Sequence, residues 1–161
     1  MISKKTLKGS YRYIFTSFLI LGTILSISIM GQQDNIGKLK INNQIEVKIN
    51  NCTFYLQKSS STIEKDRGLM FIKSMDTYQG MIFLYNEPEY LSFWMLNTFI
   101  PLDIIYIDSN NQIVTIHNNT KPLNGKILYN SSSKSQYVIE LNANITKLCK
   151  INVQDFTNFQ K

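Results

Sequence analysis

The chain has 161 residues, 43% of them hydrophobic and 17% charged, with 17 Lys and Arg against 11 Asp and Glu for a formal net charge of +6. That length holds one domain, and seven Gly, three Pro and two Cys exclude a collagen-like repeat, a low-complexity chain and a disulfide-dense miniprotein. The hydrophobic fraction excludes a disordered chain. The charge excess is uneven: residues 1–31 hold Lys4, Lys5, Lys8 and Arg12 and no acid, leaving 13 basic against 11 acidic side chains for the rest, a net of +2. Charge alone does not draw such a domain to nucleic acid, and no nucleic-acid partner is expected.

Behind the basic start, Ile14 to Met30 forms an apolar run, and no charge falls between Arg12 and Asp34. About 17 to 25 such residues span a bilayer core as a helix, whereas a cleaved signal usually has a shorter apolar centre ending in small residues. The segment suits either reading. Ser26 and Ser28, or Ile29 and Gly31, stand where a cleavage pair would, and no Cys offers a lipid attachment point. Positive charge stays on the cytoplasmic side, so residues 32–161 are expected across the membrane, periplasmic or extracellular, anchored through residues 14–30 if these are not removed. The expected organisation is a signal peptide or N-terminal membrane anchor over 1–31, a polar spacer over 32–43 and a β-rich domain over 44–161.

In the domain the period of hydrophobicity is mostly two. Ile45, Val47 and Ile49 alternate with Gln44, Glu46 and Lys48, and Asn50-Asn51 makes a turn into a second strand over Cys52 to Gln57, which predicts a hairpin. Ser61 with Glu64 three residues later is a capping-box pattern for a short helix to Arg67, stopped by Gly68. Further strands are predicted at Met81 to Tyr85, Leu91 to Met95, Asp103 to Asp108, Ile113 to His117, Ile127 to Asn130 and Gln136 to Leu141. A second short helix over Asn144 to Lys150 and a last strand near Val153 to Phe156 follow. Many short strands with frequent turns predict a mainly β fold, a single compact β-barrel or sandwich-like domain with two short helices, preceded by an N-terminal hydrophobic helix.

Three segments carry a resemblance: Arg67-Gly-Leu-Met-Phe71, Gly80-Met-Ile-Phe83 and Phe93-Trp-Met-Leu-Asn-Thr-Phe-Ile-Pro-Leu-Asp-Ile104. They resemble the signature of the domain of unknown function 192 family. The likeness covers roughly Gln44 to Phe156, including Pro122, Tyr129 and Tyr137-Val-Ile-Glu-Leu141. It implies a compact, mainly β domain, often exported, with no established activity. The chain departs from that pattern at Leu96, where a Lys is usual, and at Asn144 and Gln154, where Gly is usual. Asn tolerates the left-handed backbone that Gly supplies, whereas Gln154 leaves the last turn in question.

Arg67, Trp94, Asn97, Thr98 and Asp103 form the candidate ligand-binding set. Met95, Phe99, Ile100 and Leu102 would bury their surroundings, and within apolar walls a carboxylate and a guanidinium are costly unless paired, so Arg67 is expected to pair with Asp103. Two readings follow. The pair, with Asn97 and Thr98 bonding loop backbone, fixes the fold; or Trp94 stacks on a small molecule in a shallow pocket while Arg67, Asn97 and Asp103 hold its polar groups. An unknown small molecule or envelope component, such as a sugar or a piece of cell wall, fits the second.

No catalytic constellation is recognisable. Asp103 and Asp108, five residues apart on one strand, lie roughly 17 Å apart and on opposite faces, beyond the reach of a glycosidase pair. A hydrolase of envelope glycan would need Asp103 with a second acid such as Glu140. His117, the one His, reads as a solvated strand end. No P-loop, Cys-x-x-Cys or His-x-x-x-His is present, so neither a cofactor nor a metal is expected. Met70, Met75, Met81 and Met95 read as core filler. Cys52 and Cys149, in a compartment that permits disulfides, are either bridged or two buried free thiols. The functional expectation is a binding or accessory module, with the hydrolase and a purely structural interaction scaffold as alternatives.

Overall fold

The computed structural model describes residues 37–39 and 42–160. The N-terminal hydrophobic helix and most of the spacer lie outside the described residues. Among the described residues no helix is long and apolar enough to cross a membrane.

Alternation builds the first hairpin as the sequence predicts. Strand β1 (Gln44–Ile49) is exposed and buried at alternate residues and pairs antiparallel with β2 (Cys52–Ser59), Ile49 opposite Cys52. Asn50 takes the turn with φ 52, a conformation Asn accepts more readily than most residues. Helix α1 (Thr62–Arg67) opens on the expected capping box: Ser61 Oγ accepts from the Glu64 N–H, and the Glu64 carboxylate accepts from the N–H groups of Ser61 and Ser60. These bonds hold the Glu64 carboxyl below the usual carboxylate range. The helix makes the crossover that lets β3 (Gln79–Glu89) lie parallel to β2, the one connection of this kind in the sheet.

The remaining elements are β4 (Ser92–Phe93), β5 (Leu102–Ile107), β6 (Ile113–His117), β7 (Tyr129–Asn130), β8 (Ser135–Asn142), α2 (Ile145–Leu148) and β9 (Thr157–Asn158). Seven strands form one sheet in the order β6-β5-β8-β3-β2-β1-β9, and β4 pairs with β7 in a small second sheet. Strand β5 is buried along its whole length, as a central strand covered on both faces must be.

Each face has its own core. One unites Val47, Ile49, Phe54, Leu56, Ile105, Ile107, Ile113 and Ile139, so strands distant in the sheet order share a cluster and the sheet must curl around it. The other, on the outer face, holds Leu69, Met81, Phe83, Met95, Leu102, Ile104, Tyr106 and Val138 under the loops and the small sheet. The architecture is a curled half-barrel. At one end an antiparallel bridge between Gln112 and Phe156 joins its two edges.

The short strands at Leu91 to Met95 and Ile127 to Asn130 contract to two residues each, and the last strand lies later than predicted. Val153 and Gln154 turn, with Asp155 N–H donating to Asn152 O at 3.2 Å and Asn152 N–H to Asp155 Oδ2 at 2.8 Å, and only then does Thr157 pair with Ile49. Gln154 takes this turn with φ 80 and Asn144 opens α2 with φ 70, so both positions adopt the backbone that suits Gly. A disulfide joins Cys52 to Cys149, with Cα atoms 5.9 Å apart and a separation of 97 positions in sequence. Closing so long a loop contributes on the order of 4 to 5 kcal/mol in the chain-entropy view.

Two backbone positions yield a paired expectation. A Cβ on Gly80 would lie 2.2 Å from the Glu140 carbonyl oxygen, so Gly80→Ala forces β3 and β8 apart and costs about 3 kcal/mol. Gln154→Gly relieves a left-handed non-glycine residue and stabilises by about 1 kcal/mol. Urea denaturation of the two variants, compared with the unmodified protein, checks both signs.

Candidate functional site

A cavity with a volume near 710 Å³ lies on the outer face of the sheet. Five parts of the chain build it. The last turn of α1 and its exit contribute Lys65, Asp66, Arg67, Gly68, Leu69 and Met70; β3 contributes Phe83 and Tyr85; β4 and the loop after it contribute Ser92, Phe93, Trp94 and Thr98; β8 contributes Glu140. Leu128 closes one side.

The two-residue period fixes what reaches this space. Cross-strand partners share a face, and Glu140 sits opposite Ile104 on β5 and Met81 on β3, so its side chain joins the outer core. It is 4% exposed, and its Oε2 has no hydrogen-bond partner among the described residues. Burial pushes the carboxyl up to about 8, so at neutral pH Glu140 is mainly the uncharged acid. Gly68 keeps access to it: it leaves α1 with φ 47, and a Cβ there would lie 3.4 Å from Phe83 Cζ and 3.8 Å from Glu140 Oε2.

Aromatic edges make the walls. Phe83 and Phe93 meet edge to face with centroids 4.8 Å apart, and Phe93 meets Tyr106 at 5.9 Å. Tyr106 donates its hydroxyl to the Tyr129 carbonyl, and burial raises its phenol. Lys65 Nζ stands 4.1 Å above the Tyr85 ring. The Tyr85 phenol is pushed up to about 12, first by burial and then by Glu89, Glu140 and Asp66. Trp94 is half-exposed at the mouth, and Arg67 is exposed on the rim.

Of the predicted set, Arg67, Trp94 and Thr98 line this cavity, whereas Asn97 and Asp103 do not. Asn97 holds a loop: with φ 55, its carbonyl accepts from the Phe71 N–H at 2.9 Å. Asp103 is opposite Leu141, so it points to the inner face, away from Arg67 and Glu140. It is fully buried and accepts from Asn119 N–H at 2.9 Å, Thr146 N–H at 3.0 Å and the Thr146 hydroxyl at 2.7 Å. Asn144 gives α2 no side-chain cap, and Asp103 supplies one from β5 instead.

The expected Arg67–Asp103 ion pair is therefore absent; the ion pairs among the described residues are Lys38–Asp76 and Lys48–Glu46. The acid pair required by a glycan hydrolase fails for the same reason, since Asp103 and Glu140 face opposite sides of one sheet. His117 ends β6 as expected, but it is only partly exposed. Its ring packs edge-on to Tyr106 and Tyr129, and Nε2 lies 2.8 Å from the Asn130 carbonyl oxygen. Glu140 is the residue that the sequence reading undervalued. The signal was present: a lone carboxylate with Ile139 and Leu141 on either side, in a strand with no solvent face.

The model of a protein family, DUF192, described as Uncharacterized ACR, matches residues 45–159. This chain belongs to that family. Two crystal structures share the DUF192 chain's fold. A proposed transcription regulator from Sinorhizobium meliloti 1021 has a TM-score of 0.70 and 26% identity, covering 75% of this chain and 97% of its own. A protein of unknown function from Novosphingobium aromaticivorans DSM 12444 has a TM-score of 0.67 and 25% identity, covering 74% and 91%. No curated protein matches the chain.

The Glu140 acid makes a pH signature. Its carboxyl is raised in the folded state from an ordinary 4.5 to about 8, so between these values the native protein binds more protons than the unfolded chain. Its contribution is fully present below about pH 4.5 and is lost as pH rises to about 8, several kcal/mol in all. The expected result is a melting temperature that falls from pH 5 to pH 8 and a Glu140→Gln variant with a markedly flatter profile, both read by circular dichroism. An unchanged slope in Glu140→Gln would place the titration elsewhere.

Proposed function

We propose that this DUF192 protein is an exported or membrane-anchored binding module of the cell envelope, and that the cavity between Glu140 and Trp94 holds a small, neutral, hydroxyl- or amide-bearing molecule such as a sugar or a cell-wall fragment. The carrying observation is the unpartnered Oε2 of Glu140 at the cavity floor. A buried polar atom without a partner is costly, and a ligand hydroxyl or amide that reaches it removes that cost. As a neutral acid, Glu140 both donates and accepts, which suits a hydroxyl better than it suits a cation. Trp94 at the mouth offers a flat apolar face, Arg67 adds donors at the rim, and Phe83 and Phe93 supply an apolar wall. Export rests on residues 1–31 and the net of +2 beyond them. The same small excess gives no support to extending the regulator name of the Sinorhizobium neighbour to this chain.

Trp94 is the only tryptophan in the chain, so its emission reports on the mouth directly. Titrating a panel of neutral mono- and disaccharides, including N-acetylated ones, should produce one or more saturable emission changes with a matching rise in melting temperature. Glu140→Leu should weaken such binding about 10-fold, the cost of one hydrogen bond to a buried group. Asp103→Asn should lower stability and leave affinity unchanged. A panel that leaves both Trp94 emission and melting temperature unmoved would remove this reading.

A further inference from the structure

Three loops meet around the mouth of the cavity, and they present apolar side chains to solvent that the core does not use. Phe71, Trp94, Leu96, Phe99, Leu123 and Leu128 are each between 39% and 62% exposed. Their placement together follows from the bonds between the loops. Phe71 N–H donates to Asn97 O, Leu123 N–H to Thr98 O and Met95 N–H to Asn124 O. The Phe71 and Phe99 rings meet at 6.1 Å, and Gly125 packs against the Leu96 side chain. Six large apolar groups held on cross-linked loops form a patch of the kind that marks an interaction surface.

The loops that carry the patch hold basic side chains and no acid, and Asp66 is the one acid beside them on the α1 side of the cavity. Residues 67–73, 94–101 and 118–130, which form these loops, contain Arg67, Lys73, Lys121 and Lys126 and no acid. Lys121 and Lys126 border a shallow hollow with Leu96 and Leu123. Aromatic and leucine side chains ringed by lysine and arginine are the chemistry of a surface that lies in the interface of an anionic bilayer. Chain length agrees. Lys73 and Ser74 N–H groups donate to the Gly37 carbonyl, so the domain begins there and only residues 31–36, roughly 20 Å when extended, separate it from an anchor over residues 14–30.

We infer that the loops bearing Phe71, Trp94, Phe99 and Leu123 form a docking face for an anionic lipid bilayer. The cavity mouth then opens toward the membrane surface. Docking shares Trp94 and Arg67 with the cavity mouth but does not use Glu140, so Phe99, Leu123, Lys121 and Lys126, which lie outside the cavity lining, test it separately.

Trp94 makes the test direct. The full chain is reconstituted into vesicles of mixed phosphatidylcholine and phosphatidylglycerol in which some phosphatidylcholine carries bromine near the top of its acyl chains. Bromolipid should quench Trp94, and aqueous iodide should quench it less than in the same protein held in vesicles of phosphatidylcholine alone. Each lysine near an anionic surface is worth roughly fivefold in the docking equilibrium, so Lys121→Gln with Lys126→Gln should dock about 25-fold less. The melting temperature of that variant should be unchanged, since both lysines are exposed. Phe99→Ser with Leu123→Ser should lose the bromolipid quenching as well, again without a change in melting temperature. The inference is overturned if bromolipid leaves Trp94 unquenched while iodide reaches it equally in both lipids. It is overturned equally if Trp94 becomes shielded only as protein concentration rises, which would make the face a contact between copies of the chain.

Discussion

The register between β5 and β8 is the constraint from which the site follows. With Ile104 opposite Glu140 and Asp103 opposite Leu141, two carboxyl groups on neighbouring strands are sent to opposite sides of the same sheet. Their environments then diverge. Asp103 meets a backbone N–H from the 118–120 loop and the first turn of α2, and every contact it makes tightens the inner core. Glu140 meets aromatic rings and a cavity, keeps its proton, and retains an oxygen with no partner among the described residues. A slip of one residue would set Asp103 opposite Glu140 and bury both acids on the same face.

Helix α2 shows how the inner face is held shut. Its own cap residue, Asn144, is spent on a left-handed turn and offers no side-chain bond. Asp103 reaches it from β5, Cys149 at its far end is bound to Cys52, and Ile145 joins the inner core between them. One polar cluster and one covalent link thus fix a helix of four residues, too short to be stable by itself. The outer face lacks a comparable lid. Its cover is made of α1, β4, β7 and loops, and it is there that the cavity and the exposed apolar side chains occur.

Much of this was legible in the sequence because alternation is a local signal. Gln44 to Ile49 and Ile113 to His117 announce their strands and their bounds, and Ser61 with Glu64 announces the helix. What the sequence could not carry was register. Pairing Arg67 with Asp103 follows from charge cost alone, yet which residue faces which depends on Gly80, Met81 and Glu140 lying across β3 and β8, tens of residues apart. The last strand was misplaced because Val153 reads as a strand former, whereas the bonds between Asn152 and Asp155 require a turn there. The site was half legible for the same reason: Trp94, Thr98 and Arg67 lie near one another through loops that the motif names, while Glu140 arrives from a distant strand.

The small strand β9 sets the order in which the molecule can be completed. It is formed by Thr157 and Asn158, and it pairs with Lys48 and Ile49 at the end of β1, the first strand of the domain. The two edges of the sheet also meet here, through the Gln112–Phe156 bridge and backbone bonds from residues 154–157 to Asn111 and Ile113. A chain still being synthesised therefore holds an open β1 edge until residues 157–158 have left the ribosome, and contacts of such sequence separation fold slowly. Until then the edge is open to strand addition from a neighbouring chain, so the nascent protein gains from being chaperoned through this interval.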